Sequence, residues 1–322
     1  MNMTGGPIEV EQLAKLNERG NDDLFICCAS FEERCLSSLS KLDKNYRANF
    51  GIIFVIEEPA NQKQVNHNLY RIQSELSTRA SKGIFVISSQ RDQPMDGINQ
   101  LKKVWQHCQP KNPQQPFITL DISGFTKIYL LEILRHLVVE QNLSIPRLLH
   151  TTQNYLPTKL TKGVVQITTI PHFYGDISLD KQTVLVLLLG FEPDRALAVW
   201  KHFNPAKTIA LITDPPRFGN LNYVKYAREN NDYLLSQPSV EVRTVPADHP
   251  HAVRTALEAV YHETKDSFNM AIGPFGTKPQ VVGVFLFCQE HPKVQVVYSF
   301  PVTYTRSYMQ RKPGPTMLLP VG

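Results

Sequence analysis

The chain lacks most of the signatures that would place it in a familiar ligand-binding or targeting class. No apolar stretch in its 322 residues reaches the ~18 residues a membrane span needs, since even residues 183–191 (TVLVLLLGF) stop at a glycine. The opening residues MNMTGGPIEVEQL have neither the basic nor the apolar region of a signal peptide, so a cytoplasmic location and no membrane partner are expected. Cysteine is scarce: Cys27, Cys28, Cys35, Cys108 and Cys288 form no CxxC pair or other metal-ligand spacing, which predicts no structural zinc, other metal or disulfide framework. Cys27 and Cys28 sit in an apolar run and are expected to be buried as thiols. No GxxxxGK[ST] occurs, which removes the P-loop ATPases. The formal charge of +5 and pI near 8.8 come without basic blocks or a basic-aromatic stripe. Binding to a nucleic-acid polymer is therefore not indicated, whereas a small anion would suit this balance.

What the chain does contain, it contains twice. With 42% hydrophobic residues it can bury the core of about two domains. One apolar run ends in Ser30-Phe31-Glu32-Glu33-Arg34 and another in Gly190-Phe191-Glu192-Pro193-Asp194-Arg195, with Phe31 and Phe191 160 positions apart. Further on, FITLDISGFTK ending at Lys127 answers FNMAIGPFGTK ending at Lys278, 151 positions later. An offset that drifts by so little is the mark of a duplicated unit with small loop deletions.

The elements follow the same order in both halves. Strands are predicted at 24–29, 51–56, 83–87, 117–122 and 147–152, with helices at 32–42, 61–76, 95–108 and 128–140. The second half gives strands at 183–189, 208–213, 240–245, 268–272 and 294–299, and helices at 194–202, 221–235, 250–265 and 279–291. Strand runs apolar on both faces, alternating with helices, predict an α/β protein of two tandem Rossmann-like parallel-sheet units related by internal duplication. The predicted organisation is a lead segment (1–22), a first unit (23–158), a linker (159–182), a second unit (183–308) and a tail (309–322). Right-handed crossovers favour strand order 3-2-1-4-5, whose winding reverses between strands one and four, and ligands bind at such switch points.

The repeated motifs are the loops after those two strands. The candidate ligand-binding residues are thus Glu32, Arg34, Gly124, Thr126 and Lys127 in one half and Glu192, Arg195, Gly276, Thr277 and Lys278 in the other. In the Gly-x-Thr-Lys loops, glycine lets backbone N–H groups turn toward an anion, and the helix start, threonine and lysine add donors and charge. The competing reading is a strand-to-helix turn with a threonine N-cap and an exposed lysine. Glu32 with Arg34, and Glu192 with Arg195, either contact a ligand or simply pair with each other at a helix start. Glu57 and Asp214, ending strand two of each half, are candidates for ribose contacts. No GxGxxG follows either first strand, which counts against ordinary NAD binding. No cofactor is predicted, and no catalytic residue is assigned.

Two features lack a counterpart and a third is matched outside the loops. Asp248-His249-Pro250-His251 reads as helix-capping chemistry rather than a metal site. Asp121, facing Ile272 in the second half, is either a buried polar residue held by backbone or a sign of unequal crevices. Tyr155 and Tyr304 match just past strand five, and Tyr304, Arg306, Tyr308 and Arg311 crowd the C-terminal region as base-stacking or packing residues.

Paired Rossmann-like units with ligand loops after strands one and four, the second of Gly-Thr-Lys type, resemble the CRISPR-associated Rossmann-fold (CARF) sensors and the fused SAVED domains of bacterial anti-phage signalling. The resemblance spans residues 23–308. It implies a cyclic-oligonucleotide ligand whose phosphates meet Thr126, Lys127, Thr277 and Lys278, with Glu32, Arg34, Glu192 and Arg195 in the adjoining loops. No nuclease, protease or membrane effector is recognisable in the sequence. The implied protein is a non-catalytic sensor or regulatory subunit acting through a separate effector. The alternatives are a metal-independent ring nuclease or phosphodiesterase, and an interaction scaffold without a small-molecule ligand.

Overall fold

The computed structural model describes residues 7–9, 22–108, 115–153, 159–214, 223–305 and 312–321. The chain divides into two compact units, residues 1–153 with 312–322 and residues 154–311.

The first unit opens with the short strand β1 (Ile8–Glu9), followed by β2 (Asp22–Ala29), β3 (Ala48–Ile56), β4 (Ala80–Ser89), β5 (Ile118–Asp121) and β6 (Arg147–Gln153). Between the five longer strands run α1 (Ser37–Lys41), reached through a 3₁₀ turn at Glu33–Leu36, α2 (Gln62–Ser77), α3 (Pro94–Cys108) and α4 (Lys127–Arg135). A π-helical turn, His136–Glu140, extends α4. Every residue of β2 is buried, as expected of a central parallel strand covered on both faces. On α2, Val65, Asn68, Ile72 and Leu76 turn inward at three- and four-residue steps, the stripe of an amphipathic helix.

The second unit comprises β7 (Thr161–Lys162), β8 (Gln166–Thr169), β9 (Gln182–Leu189), α5 (Pro193–Phe203), β10 (Lys207–Asp214), α6 (Tyr223–Asn230) and α7 (Asp232–Leu235). It continues with β11 (Val240–Pro246), α8 (Pro250–Thr264), β12 (Phe268–Pro274), α9 (Lys278–Glu290), β13 (Gln295–Phe300) and β14 (Thr303–Tyr304). The final strand, β15 (Pro313–Leu318), returns to the sheet of the first unit.

The predicted strand order holds in both units. The first sheet runs β1-β15-β6-β5-β2-β3-β4 and the second β11-β10-β9-β12-β13-β8, so each contains the parallel order 3-2-1-4-5. The additions differ from the sequence reading. Within the expected tail, β15 pairs antiparallel with β6, and β1 of the lead segment pairs with β15. Within the expected linker, β8 pairs antiparallel with β13, and β7 forms a separate ribbon with β14. The physical reason is the same in both sheets: strand five would otherwise leave a row of unpaired N–H and C=O groups at an edge.

Candidate functional site

In the first unit the register Leu24↔Ile118, Phe25↔Thr119 and Ile26↔Leu120 sets β2 beside β5, so the loops leaving their carboxyl ends are neighbours. Gly124 is needed for that approach, since a Cβ there would lie 2.1 Å from the Cys28 carbonyl oxygen. Glu32 and Arg34 are both buried and pair with each other, with Arg34 Nε donating to Glu32 Oε2 at 2.8 Å. Asp121 is satisfied locally: it accepts from the Ser123 N–H at 2.8 Å and from the Ser38 hydroxyl. Ser123 in turn accepts from the Thr151 N–H at 2.8 Å, which fixes the loop to β6. Thr126 is the N-cap of α4 but makes no side-chain capping bond, and its enclosed Oγ1 has no hydrogen-bond partner among the described residues. Lys127, expected to be exposed, is buried at 9% relative exposure.

The second unit repeats the frame with different wiring. β9 lies beside β12 in parallel register from Phe268↔Gln182 to Pro274↔Leu188. Arg195 is 1% exposed, pairs with Glu192, and donates from Nε to the Ser299 carbonyl at 2.7 Å. Its guanidinium lies over Tyr298 at 4.4 Å and Phe275 at 5.3 Å. Burial opposes the charge, but Glu192 and the rings of Tyr298 and Tyr304 raise its pKa above the ordinary value, so Arg195 is a permanent cation. Thr277 completes a capping box with Gln280: its N–H donates to Gln280 Oε1 at 2.9 Å and its hydroxyl to the Ala247 carbonyl. Gly276 makes room for that box, because a Cβ would meet Gln280 Oε1 at 1.9 Å. Lys278 is buried like Lys127. Burial corrects the expectation of exposed lysines: both side chains are buried at the starts of α4 and α9.

The strand-two acids divide. Glu57 is exposed, while the buried carboxylate at that turn is Glu58, paired with Arg91 at 3.1 Å. Burial raises the Glu58 carboxyl and Arg91 partly lowers it again. The Asp214 side chain, Tyr155, Arg306, Tyr308 and Arg311 lie outside the described residues. Tyr304 lies in β14, opposite Thr161. At the start of α8 the cap is His249, whose Nδ1 accepts from the Ala252 N–H at 3.3 Å, one residue later than the Asp-x-Pro pattern suggests.

One repeated contact escaped the sequence reading. Asn68 on α2 donates to the Ser30 carbonyl at 2.8 Å, and Asn231, before α7, donates to the Gly190 carbonyl at 2.8 Å. Both asparagines are buried, and both hold the first residue of the loop after strand one. A search for matched polar residues 160 or so positions apart, rather than for motifs, would have found them.

As chemistry, the loops hold cations and hydrogen-bond donors and offer little for bond cleavage. Glu32 and Glu192 are each tied to an arginine in an ion pair. All five cysteines are buried; burial pushes the Cys35 thiol up to about 12, far from the thiolate a nucleophile requires.

Comparison with protein families and with curated proteins finds no match. Among solved structures, the cytoplasmic domain of a prokaryotic cation chloride cotransporter is similar at 10% identity and a TM-score of 0.26, covering 87% of this chain and 96% of that one. No helix among the described residues is long and apolar enough to cross a membrane.

Proposed function

We propose that the protein is a non-catalytic sensor or regulatory subunit that binds a nucleotide-type anion at its switch-point loops and controls a separate effector protein. The observation that carries the reading is the repeated 3-2-1-4-5 order, which in each unit brings the Arg-bearing first turn after strand one beside a loop ending in Thr-Lys, Gly124-Phe125-Thr126-Lys127 in the first and Gly276-Thr277-Lys278 in the second, at the place where α/β sheets take ligands. In both units a lysine occupies the first position of the helix after strand four. A cation there opposes the helix dipole, and an incoming phosphate would offset both it and the dipole. The resemblance to CARF and SAVED proteins supplies the ligand class, cyclic oligonucleotides, and the setting, prokaryotic anti-phage defence.

Turnover is not part of the proposal, because the loops supply charge stabilisation without an untied base or nucleophile. Mass spectrometry of protein purified from its own cells tests both halves of the reading at once. A co-purifying nucleotide and a stoichiometric protein partner are expected. Incubation with cyclic oligonucleotides, in EDTA and in magnesium, should return them intact; linear products lost in a Lys127→Ala, Lys278→Ala variant would favour a ring nuclease instead.

A further inference from the structure

Away from the loops, α8 and α9 pack together on one face of the second sheet and join donor groups that the nucleotide reading does not use. Glu258 of α8 and Glu290 and His291 at the end of α9 each present a ligand atom within 4.8 Å of the others. His291 Nε2 lies 2.9 Å and 3.0 Å from the two Glu258 oxygens. The imidazole packs against Phe287 at 4.5 Å and Tyr261 at 4.2 Å between ring centroids, so its orientation is set by packing. His262, one helical turn past Glu258, stands 3.8 Å from the same carboxylate. Arg254, one turn before Glu258, donates to both oxygens of Glu290 at 2.7 Å, as an outer partner that orients a ligating carboxylate does.

The first unit provides an internal control. Lys102 is the ninth residue of its helix counting from Pro94, as Glu258 is from Pro250. Glu140 is the fourteenth residue from Lys127, as His291 is from Lys278. Lys102 and Glu140 form an ordinary ion pair at 3.0 Å, a tether between crossover helices with no metal chemistry. In the second unit the same two places carry a carboxylate and an imidazole, and a further carboxylate and imidazole stand beside them. A Glu–His contact is a poorer tether than Lys–Glu when the histidine is neutral, yet a neutral imidazole with carboxylates is a metal-ligand set.

We propose that Glu258, Glu290 and His291 form a binding site for a divalent metal ion of the zinc class that staples α8 to α9, with His262 placed to supply a fourth donor. Imidazole with carboxylate selects zinc, nickel or cobalt over magnesium or calcium, which prefer all-oxygen sites. The inference is independent of the nucleotide reading.

The test is titration of chelator-treated full-length protein with zinc chloride, followed by calorimetry and by thermal unfolding, with magnesium chloride as control. Saturable zinc binding with a raised melting temperature is expected, and no shift with magnesium. Glu258→Gln removes a proposed ligand and should weaken zinc binding, and His262→Ala should weaken it less. The decisive variant is Glu258→Lys with His291→Glu, which copies the Lys102–Glu140 pair of the first unit. It should fold in chelator as the parent does and lose the zinc response. Absence of saturable zinc binding in the parent, or an undiminished response in the charge-exchanged variant, would overturn the proposal.

Discussion

The Asn68 side chain, buried on α2, donates its hydrogen bond to the carbonyl of Ser30 at the end of β2. Asn231 does the same for Gly190, so both units clamp the first residue of the loop after strand one from the segment that follows strand two, on α2 in the first and between α6 and α7 in the second. Asn231→Ala removes the side-chain donor to the buried Gly190 carbonyl, which costs about 1–3 kcal/mol, whereas Asn68→Ala should cost less, because the Ser30 carbonyl is half-buried and also accepts from the Cys35 thiol. Chemical denaturation should show the larger loss for Asn231→Ala. Near-zero loss in that variant would mean the loop is held by other contacts.

The Gly-x-Thr-Lys glycine of the first unit is fixed by packing before any ligand is considered. A methyl group at Gly124 would collide with the Cys28 backbone, and overpacking of this kind costs about 1–3 kcal/mol. Gly124→Ala should therefore lower the melting temperature with or without ligand. A variant as stable as the parent would show that the two loops can separate at no cost.

Glu132, buried on α4, gives the first unit a pH signature. Burial raises its carboxyl to about 8 from an ordinary 4.5, with Arg135 and Lys102 pulling down and Glu140 adding to the rise. The folded state thus holds a proton that the unfolded chain gives up, so this group's contribution to stability falls as pH rises from about 4.5 to about 8 and then levels off. The neighbouring His136 is shifted downward, chiefly by burial, with Glu140 opposing, and disfavours the fold at acidic pH in parent and variant alike. Glu132→Gln should match the parent near pH 5 and exceed it by about 1–3 kcal/mol near pH 8. A parent–variant difference that does not change with pH would contradict this account.

Much of the fold was legible because its signals are local. Continuous apolar runs such as ICCA in β2 and LVLLL in β9, spaced by helices with inward stripes, give parallel strands, and right-handed crossovers then leave few orders. β15 was not legible, since Pro313–Leu318 carries two prolines and a glycine and joins β6 through pairings such as Thr316↔Thr151, contacts that no local pattern encodes. At the candidate site, residue types and neighbourhood were readable from the repeat, while burial was not. The burial of Lys127 and Lys278, and the use of Thr277 in a capping box but not Thr126, are set by tertiary packing that no local pattern encodes.

The account rests on an anion being bound at the Thr126-Lys127 and Thr277-Lys278 loops, and calorimetry of the full chain against a panel of cyclic and linear nucleotides tests it most directly. The parent protein should bind at least one cyclic oligonucleotide. Lys127→Ala or Lys278→Ala should weaken that binding by about 1.5–3 kcal/mol, the worth of a charge-assisted phosphate contact, while circular dichroism shows the fold retained. A parent that binds none of the panel, or folded lysine variants that bind as tightly as the parent, would contradict it.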